Sequence, residues 1–224
     1  MFGKLFKDIF MLQIKRFVFN AFQVNTYVVY DDTRNCVIID AACAEVAEET
    51  LLSNFIAENQ LRPVHILNTH NHIDHILGNG FVSEKYQLPV TAHAEGERYL
   101  SNAYAHAQSF GMILKKLVIP TIKIEDGDWI SFGNSRLKVL FAPGHADGSV
   151  CFYDDQTPMV IAGDVLFNQS IGRTDLPGGD YDLLKESIWG KLFVLPDKTI
   201  VYPGHGPETT IGSEKVNNPF VAIG

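Results

Sequence analysis

The chain has 224 residues, 46% hydrophobic and 20% charged. That is ordinary globular composition, and it rules out collagen-like, coiled-coil and wholly disordered architectures. Such a length buries enough apolar surface to fold without disulfide staples. With 18 Lys and Arg against 26 Asp and Glu the net charge is −8, and no basic run exceeds two residues (Lys15–Arg16, Lys115–Lys116), so no nucleic-acid partner is expected.

Residues 1–12 read as an N-terminal extension ahead of a single domain over 13–224. Phe2, Leu5, Phe6, Ile9 and Phe10 can share a helical face, but the segment lacks the long apolar region of a signal peptide. It reads as a short surface helix or as the product of a misassigned start codon. IKRFVF, NTYVVY and CVIID within 13–40 are strands rich in β-branched and aromatic residues, with a turn at Asp31–Thr33. Residues 44–59 are a helix with acidic Glu45, Glu48 and Glu49 in its first turns. A short strand at 64–68 precedes a polar, histidine-rich stretch at 69–80 and a helix to about residue 86. Residues 89–92 are a strand, 94–107 a helix and 108–120 a loop. Strands follow at 121–125, 128–132, 136–141, 149–154 and 158–162, punctuated by Asp126–Gly127, Gly133–Asn134 and Pro143–Gly144. After a Gly- and Pro-rich loop at 170–180 come a helix at 181–191, a strand at 199–202 and a short helix at 211–216. Strands, helix, strand and histidine loop occur in that order twice, ending at His70 and at His205. This grouping predicts an α+β fold with two sheets face to face and helices outside.

No apolar stretch approaches the roughly 18–20 residues of a membrane span, so no stable membrane association is expected. Cys36, Cys43 and Cys151 are odd in number and form no CxxC, which points to a reducing compartment, the cytoplasm. Cys36 and Cys151 sit in apolar runs and read as core thiols; Cys43 is the one placed for exposure.

The segment Thr69-His70-Asn71-His72-Ile73-Asp74-His75 puts three imidazoles and a carboxylate just after an apolar strand. These are ligands for zinc, iron or manganese. Alternate side chains leaving a strand let His70 and His72 grip one ion while Asp74 and His75, opening a helix, face a second. Ala142-Pro143-Gly144-His145, Ala162-Gly163-Asp164 and Tyr202-Pro203-Gly204-His205-Gly206 each repeat one pattern of strand, small residues and ligand. Seven candidate ligands result: His70, His72, Asp74, His75, His145, Asp164 and His205.

This series resembles the metallo-β-lactamase superfamily, and within it the small bacterial glyoxalase II-like (hydroxyacylglutathione hydrolase-like) thioester hydrolases. The resemblance spans about residues 13–218 and includes Gly172-Arg173-Thr174-Asp175-Leu176-Pro177-Gly178-Gly179-Asp180 and Gly206-Pro207-Glu208-Thr209-Thr210. It implies a four-layer αββα sandwich with a centre of two divalent ions, zinc first and iron or manganese accepted. His70, His72 and His145 would hold one ion, Asp74, His75 and His205 the other, and Asp164 would bridge them. The implied reaction is cleavage of a small S-2-hydroxyacyl thioester by a hydroxide shared between the ions, oriented by Asp74. Asp164 stands where class B1 and B2 β-lactamases carry Cys, which argues against a β-lactamase. Only 19 residues follow His205, fewer than the helical glutathione-binding region of true glyoxalase II enzymes, so the thiol carrier is left open. The alternatives are a persulfide dioxygenase with a single iron, which shares the GRTD segment, a lactone or phosphodiester hydrolase, and a non-catalytic metal-binding module. The sequence leaves the oligomeric state undefined.

Outside the motif, His65 reads as packed or hydrogen-bonded in a strand, His93 as a helix cap and His106 as surface. Arg173 and Asp175 read as a loop salt bridge or as support for the ligands or substrate. Phe167 and Tyr181 are candidates for lining the pocket, and Trp129 and Trp189 read as core.

Overall fold

The structure, a computed structural model, describes residues 12–223; the expectation for residues 1–11 lies outside them. Strands β1 (Gln13–Phe19), β2 (Val24–Tyr30) and β3 (Asn35–Ile39) form an antiparallel meander. Helix α1 (Val46–Glu58) returns the chain to β4 (Arg62–Leu67), which pairs parallel with β3. Glu48 holds the start of α1, its carboxylate accepting from the Ala44 and Glu45 amides at 2.7 and 3.2 Å and so satisfying donors a helix leaves open. Helices α2 (Ile73–Ile76) and α3 (Asn79–Tyr86) lead to β5 (Val90–His93). A 3-10 turn at Ala94–Leu100 and α4 (Ala103–Ser109) precede the edge strand β6 (Ile122–Ile124). The first sheet thus runs β1-β2-β3-β4-β5-β6.

The second sheet starts with β7 (Trp129–Phe132), β8 (Ser135–Phe141), β9 (Val150–Asp154) and β10 (Met159–Gly163), all antiparallel neighbours. The hairpin β11 (Leu166–Phe167) and β12 (Ser170–Ile171) stands apart from it. Helix α5 (Tyr181–Ser187) continues as a π-type turn at Ile188–Leu192. Strand β13 (Ile200–Pro203) joins β10 in parallel, and β14 (Thr209–Thr210) forms the other edge before α6 (Ile211–Asn217).

Side chains alternate across each strand, and both sheets are covered on both faces. Tyr27, Val29, Val37, Ile39 and Leu67 meet Leu137, Val139, Phe152, Met159 and Ile161 between the sheets. Val28, Ile38 and Ile66, from the intervening positions, pack on Leu52 and Ile56 of α1 and Val82 of α3. Val160 and Val201 pack outward on Leu184 of α5 and on Ile188 and Leu192 beyond it. This is the expected αββα sandwich.

Four local expectations fail. The single helix at 94–107 is broken at Ser101–Asn102, and its first half is wound as 3-10. Gly96, a poor helix former, sits there against Asn71 and the Gly148 backbone. Strands β11, β12 and β14 are two residues each, too short to show a period. Cys43 is buried, 1% exposed, under Gly78. Trp129 and Trp189 are not core but 41% and 40% exposed. The Arg136 guanidinium lies 3.9 Å from the Trp129 ring centre, and Trp189 donates to the Val221 carbonyl at 2.8 Å. An edge strand and a helix surface leave one face of each indole to water.

Candidate metal centre

The seven predicted ligands lie at one edge of the sandwich for a topological reason. Strands β3 and β4 are parallel, and β8, β10 and β13 share one direction because β8 and β10 both run antiparallel to β9. Each motif follows the C-terminal end of one of these strands. The two sheets are joined there by backbone bonds: Val150 N to Thr69 O at 2.9 Å, and Asn25 N to Gly204 O at 2.7 Å. Gly204 N also donates to Gly163 O at 2.7 Å. Glycine is required at 204, where a Cβ would collide with the Asp164 carboxylate and stand 2.9 Å from His75 Cε1.

The donors fall into three groups, each with its atoms within 4.8 Å of one another: His70, His72 and His145; His70, His75 and Asp164; Asp74, His75 and His205. His145 Nε2 lies 3.0 Å from His72 Nδ1, and His75 Nε2 lies 3.4 Å from His205 Nε2. Asp164 reaches both sides, with Oδ2 at 3.6 Å from His145 Nε2 and 3.5 Å from His205 Nε2, and Oδ1 at 3.4 Å from His75 Nε2. Asp74 Oδ2 is 3.5 Å from His205 Nε2.

The outward nitrogens fix which atoms face inward. His75 Nδ1 meets Asp40 Oδ2 at 3.0 Å, His145 Nδ1 the Arg173 carbonyl at 2.8 Å, and His205 Nδ1 the Phe22 carbonyl at 2.9 Å. Thr69 Oγ1 donates to Asp40 Oδ2 at 2.7 Å, so it accepts from His70 Nδ1 at 3.1 Å. Each of these rings spends its N–H outward and turns the Nε2 lone pair into the centre, the arrangement that metal-binding imidazoles use.

Electrostatics separate the histidines. Burial, reinforced by the neighbouring imidazoles, pushes His70 well below its ordinary range and His72 down to about 3. Burial also opposes charge on His75 and His205, but Asp164 and Asp74 outweigh it: His75 is held well above 6.5 and His205 is raised to about 9. Burial raises the two carboxyls in turn, yet His75 and His205 keep Asp74 and Asp164 below 3.8. The unshielded centre is therefore an acidic pair neutralised by protons that a cation can displace.

The donor set fits divalent ions. His70 Nε2 is buried with no hydrogen-bond partner, a cost a protein ordinarily avoids. Two nitrogens each 2.0–2.1 Å from a tetrahedral zinc lie about 3.3 Å apart, and the close pairs here span 3.0 and 3.4 Å. Nitrogen pairs this close need something electropositive between them.

Asp40 escaped the sequence reading. It ends β3 in a left-handed conformation (φ 52°), is buried, and accepts from Thr69 N and Thr69 Oγ1 at 2.7 Å each as well as contacting His75. The one available signal was an aspartate closing the apolar run CVIID. Arg173 holds His145 through its carbonyl while its side chain pairs with Asp175 at 2.7 Å. His93 caps the 3-10 turn, accepting from Glu95 N at 3.3 Å, and His65 bonds the Ser131 carbonyl at 3.1 Å. Tyr181 turns away to the Phe220 carbonyl. Phe167 does line the cleft of about 330 Å³ in front of the donors, and so does His106, which is exposed as the sequence predicted.

The profile described as the Metallo-beta-lactamase superfamily matches residues 19–205. "Probable metallo-hydrolase YqgX" of Bacillus subtilis is 37% identical over 92% of this chain and 96% of its own length. "Hydroxyacylglutathione hydrolase GloC" of Haemophilus influenzae is 34% identical over 90% and 94%. The solved structure of BLEG-1 B3 metallo-beta-lactamase superposes with a TM-score of 0.84 at 36% identity, covering 93% of this chain and 99% of that one. That of TTHA1623 in a di-iron-bound form gives 0.82 at 37% identity, covering 92% and 99%. The fold, the donor cluster at its edge and these likenesses agree: the chain belongs to the metallo-β-lactamase superfamily.

Proposed function

We propose that this chain is a hydrolase of small thioesters, of the S-2-hydroxyacyl-thiol kind. The observation that carries the proposal is a seven-donor cluster opening on a cleft, in a chain similar over 90% of its length to a hydroxyacylglutathione hydrolase. His70, His72 and His145 would hold one divalent ion and Asp74, His75 and His205 the other, with Asp164 shared. Such a pair supplies hydroxide at neutral pH and polarises a carbonyl oxygen. Zinc is the first candidate, although the likeness to a di-iron-bound structure makes iron a real competitor.

The chain's own groups do the rest. Asp74, kept as a carboxylate at neutral pH, would accept a hydrogen bond from the attacking hydroxide and orient its lone pair toward the carbonyl. Asp40, Arg173 and Phe22 hold three imidazoles from behind. A thiol leaving group has an ordinary pKa of about 8.5, so it departs as thiolate, and no strong acid is needed. The three cysteines, all buried and free among the described residues, suit a reducing cytoplasm, and no helix there is long and apolar enough to cross a membrane.

The test is metal analysis of protein grown with both zinc and iron, followed by a panel of thioesters, a persulfide, a lactone and a penicillin. The penicillin is included because the likeness to BLEG-1 favours a second reading, β-lactam opening. Near two ions per chain and preferential thioester turnover are expected, and Asp164→Ala should lose both metal and at least a hundredfold in rate. One iron per chain with oxygen uptake on a persulfide, or full activity in Asp164→Ala, would sink the proposal.

A further inference from the structure

The walls of the cleft carry a second message. Phe22, Phe110 and Met112 contribute from the β1–β2 turn and the loop after α4; Phe167, Ile171 and Leu176 contribute from the β11–β12 hairpin and the segment beyond it. Phe22 and Phe110 meet edge to face at 5.6 Å, yet they remain 39% and 45% exposed. Aromatic surface left in water beside a polar centre marks a ligand face.

Charge agrees. Among the described residues, the charged side chain lining the cleft apart from the donors is Arg173, and Asp175 grips its guanidinium with two bonds of 2.7 Å. His106 lines this cleft and also a second, shallower groove with Arg98, Tyr99, Asn102 and Ser109. There Arg98 is paired with Asp147. Both arginines at the entrance already have a carboxylate, and the chain carries a net −8. Away from the ions the donors would hold, a carboxylate on the substrate would be desolvated against these walls without meeting an unpaired cationic side chain among the described residues. An uncharged one would gain the apolar walls at once.

We propose that this site selects uncharged thioesters with an aromatic or branched aliphatic acyl group, the acyl group against Phe22 and Phe110 and the polar thiol arm in the groove beyond His106. The inference rests on the thioesterase reading and narrows its substrate class. His106 marks where the surroundings change from apolar to polar.

The metal-loaded enzyme is assayed on three thioesters of one short uncharged thiol, N-acetylcysteamine. Their acyl groups are 2-hydroxypropanoyl, 2-hydroxy-2-phenylacetyl and succinyl, the last bearing a free carboxylate. The phenyl substrate should exceed the methyl one by about tenfold or more in kcat/KM, with the succinyl substrate slowest. Phe110→Ala should narrow the phenyl-to-methyl ratio at least about threefold. Phe22→Ala, which keeps the backbone carbonyl that holds His205, should narrow it as well. As a readout independent of turnover, calorimetry should show the uncleavable phenyl thioether binding more tightly than its succinyl counterpart. If methyl or succinyl thioesters are used as well as the phenyl one, the inference falls while the thioesterase reading stands. If no thioester is cleaved, the thioesterase reading fails and takes the inference with it.

Discussion

Asp40 offers the sharpest test of how the centre is built. Asp40→Asn keeps the volume but replaces an acceptor with an amide, so His75 Nδ1 and Thr69 lose a shared partner. Metal affinity should fall about 10- to 100-fold, measured by chelator competition, with the far-UV circular dichroism unchanged. Unchanged affinity would reduce Asp40 to a packing residue. The seven donors were legible because each follows a strand in a short, dense motif. Asp40 was not, because its partner His75 lies 35 positions away and only the β3–β4 pairing brings them together. The Phe22 and Arg173 carbonyls were still less legible, since a backbone acceptor leaves no mark on residue type.

The turn that presents His145 leans on helix α5. The Gly144 carbonyl accepts from Asp180 N at 2.8 Å, Ser187 Oγ donates to the Pro143 carbonyl at 2.7 Å, and a Cβ on Gly144 (φ 121°) would strike Leu184. Asp180 caps α5 by accepting from Leu183 N at 3.0 Å. Asp180→Ala should cost about 1 kcal/mol, read by calorimetry as a fall in Tm of about 2–4 °C for a chain of this size. No fall would mean that Leu184 and Ile188 alone fix the helix. The longer strands and α1 could be placed from period and composition, since several side chains vote for each. The two-residue strands β11, β12 and β14 cast too few votes, and the 94–107 segment looked helical because nothing local reveals that Gly96 must approach Asn71.

The protonation of the centre couples to the stability of the whole chain. In the metal-free protein His205 is raised to about 9 from 6.5. Its contribution is fully present below 6.5 and is lost as pH rises through about 9. Asp74 and Asp164 are depressed below 3.8, so their contribution is present above 3.8 and lost as pH falls below it. The Tm of metal-free protein should therefore decline between pH 6.5 and 9.5. Loading with zinc should displace those protons and flatten the decline. Scanning calorimetry on both forms checks this, and a flat metal-free profile would contradict the assigned charges.

Strand and helix periods pointed to two stacked sheets with helices outside, and four ligand motifs marked donors at strand ends, because burial patterns and metal donors are properties of residue type at short range; the four-layer αββα sandwich and the division of the donors between two ions came from the family resemblance those motifs carry. Strand direction decided the remainder. Parallel alignment of β3 with β4, and of β10 with β13, gathers the motifs on one edge, aims four imidazoles inward by bonding their far nitrogens, and sets paired arginines and bare aromatics around the same opening. Three of those imidazole bonds join residues 28, 35 and 183 positions apart, separations over which sequence pattern carries no information about distance.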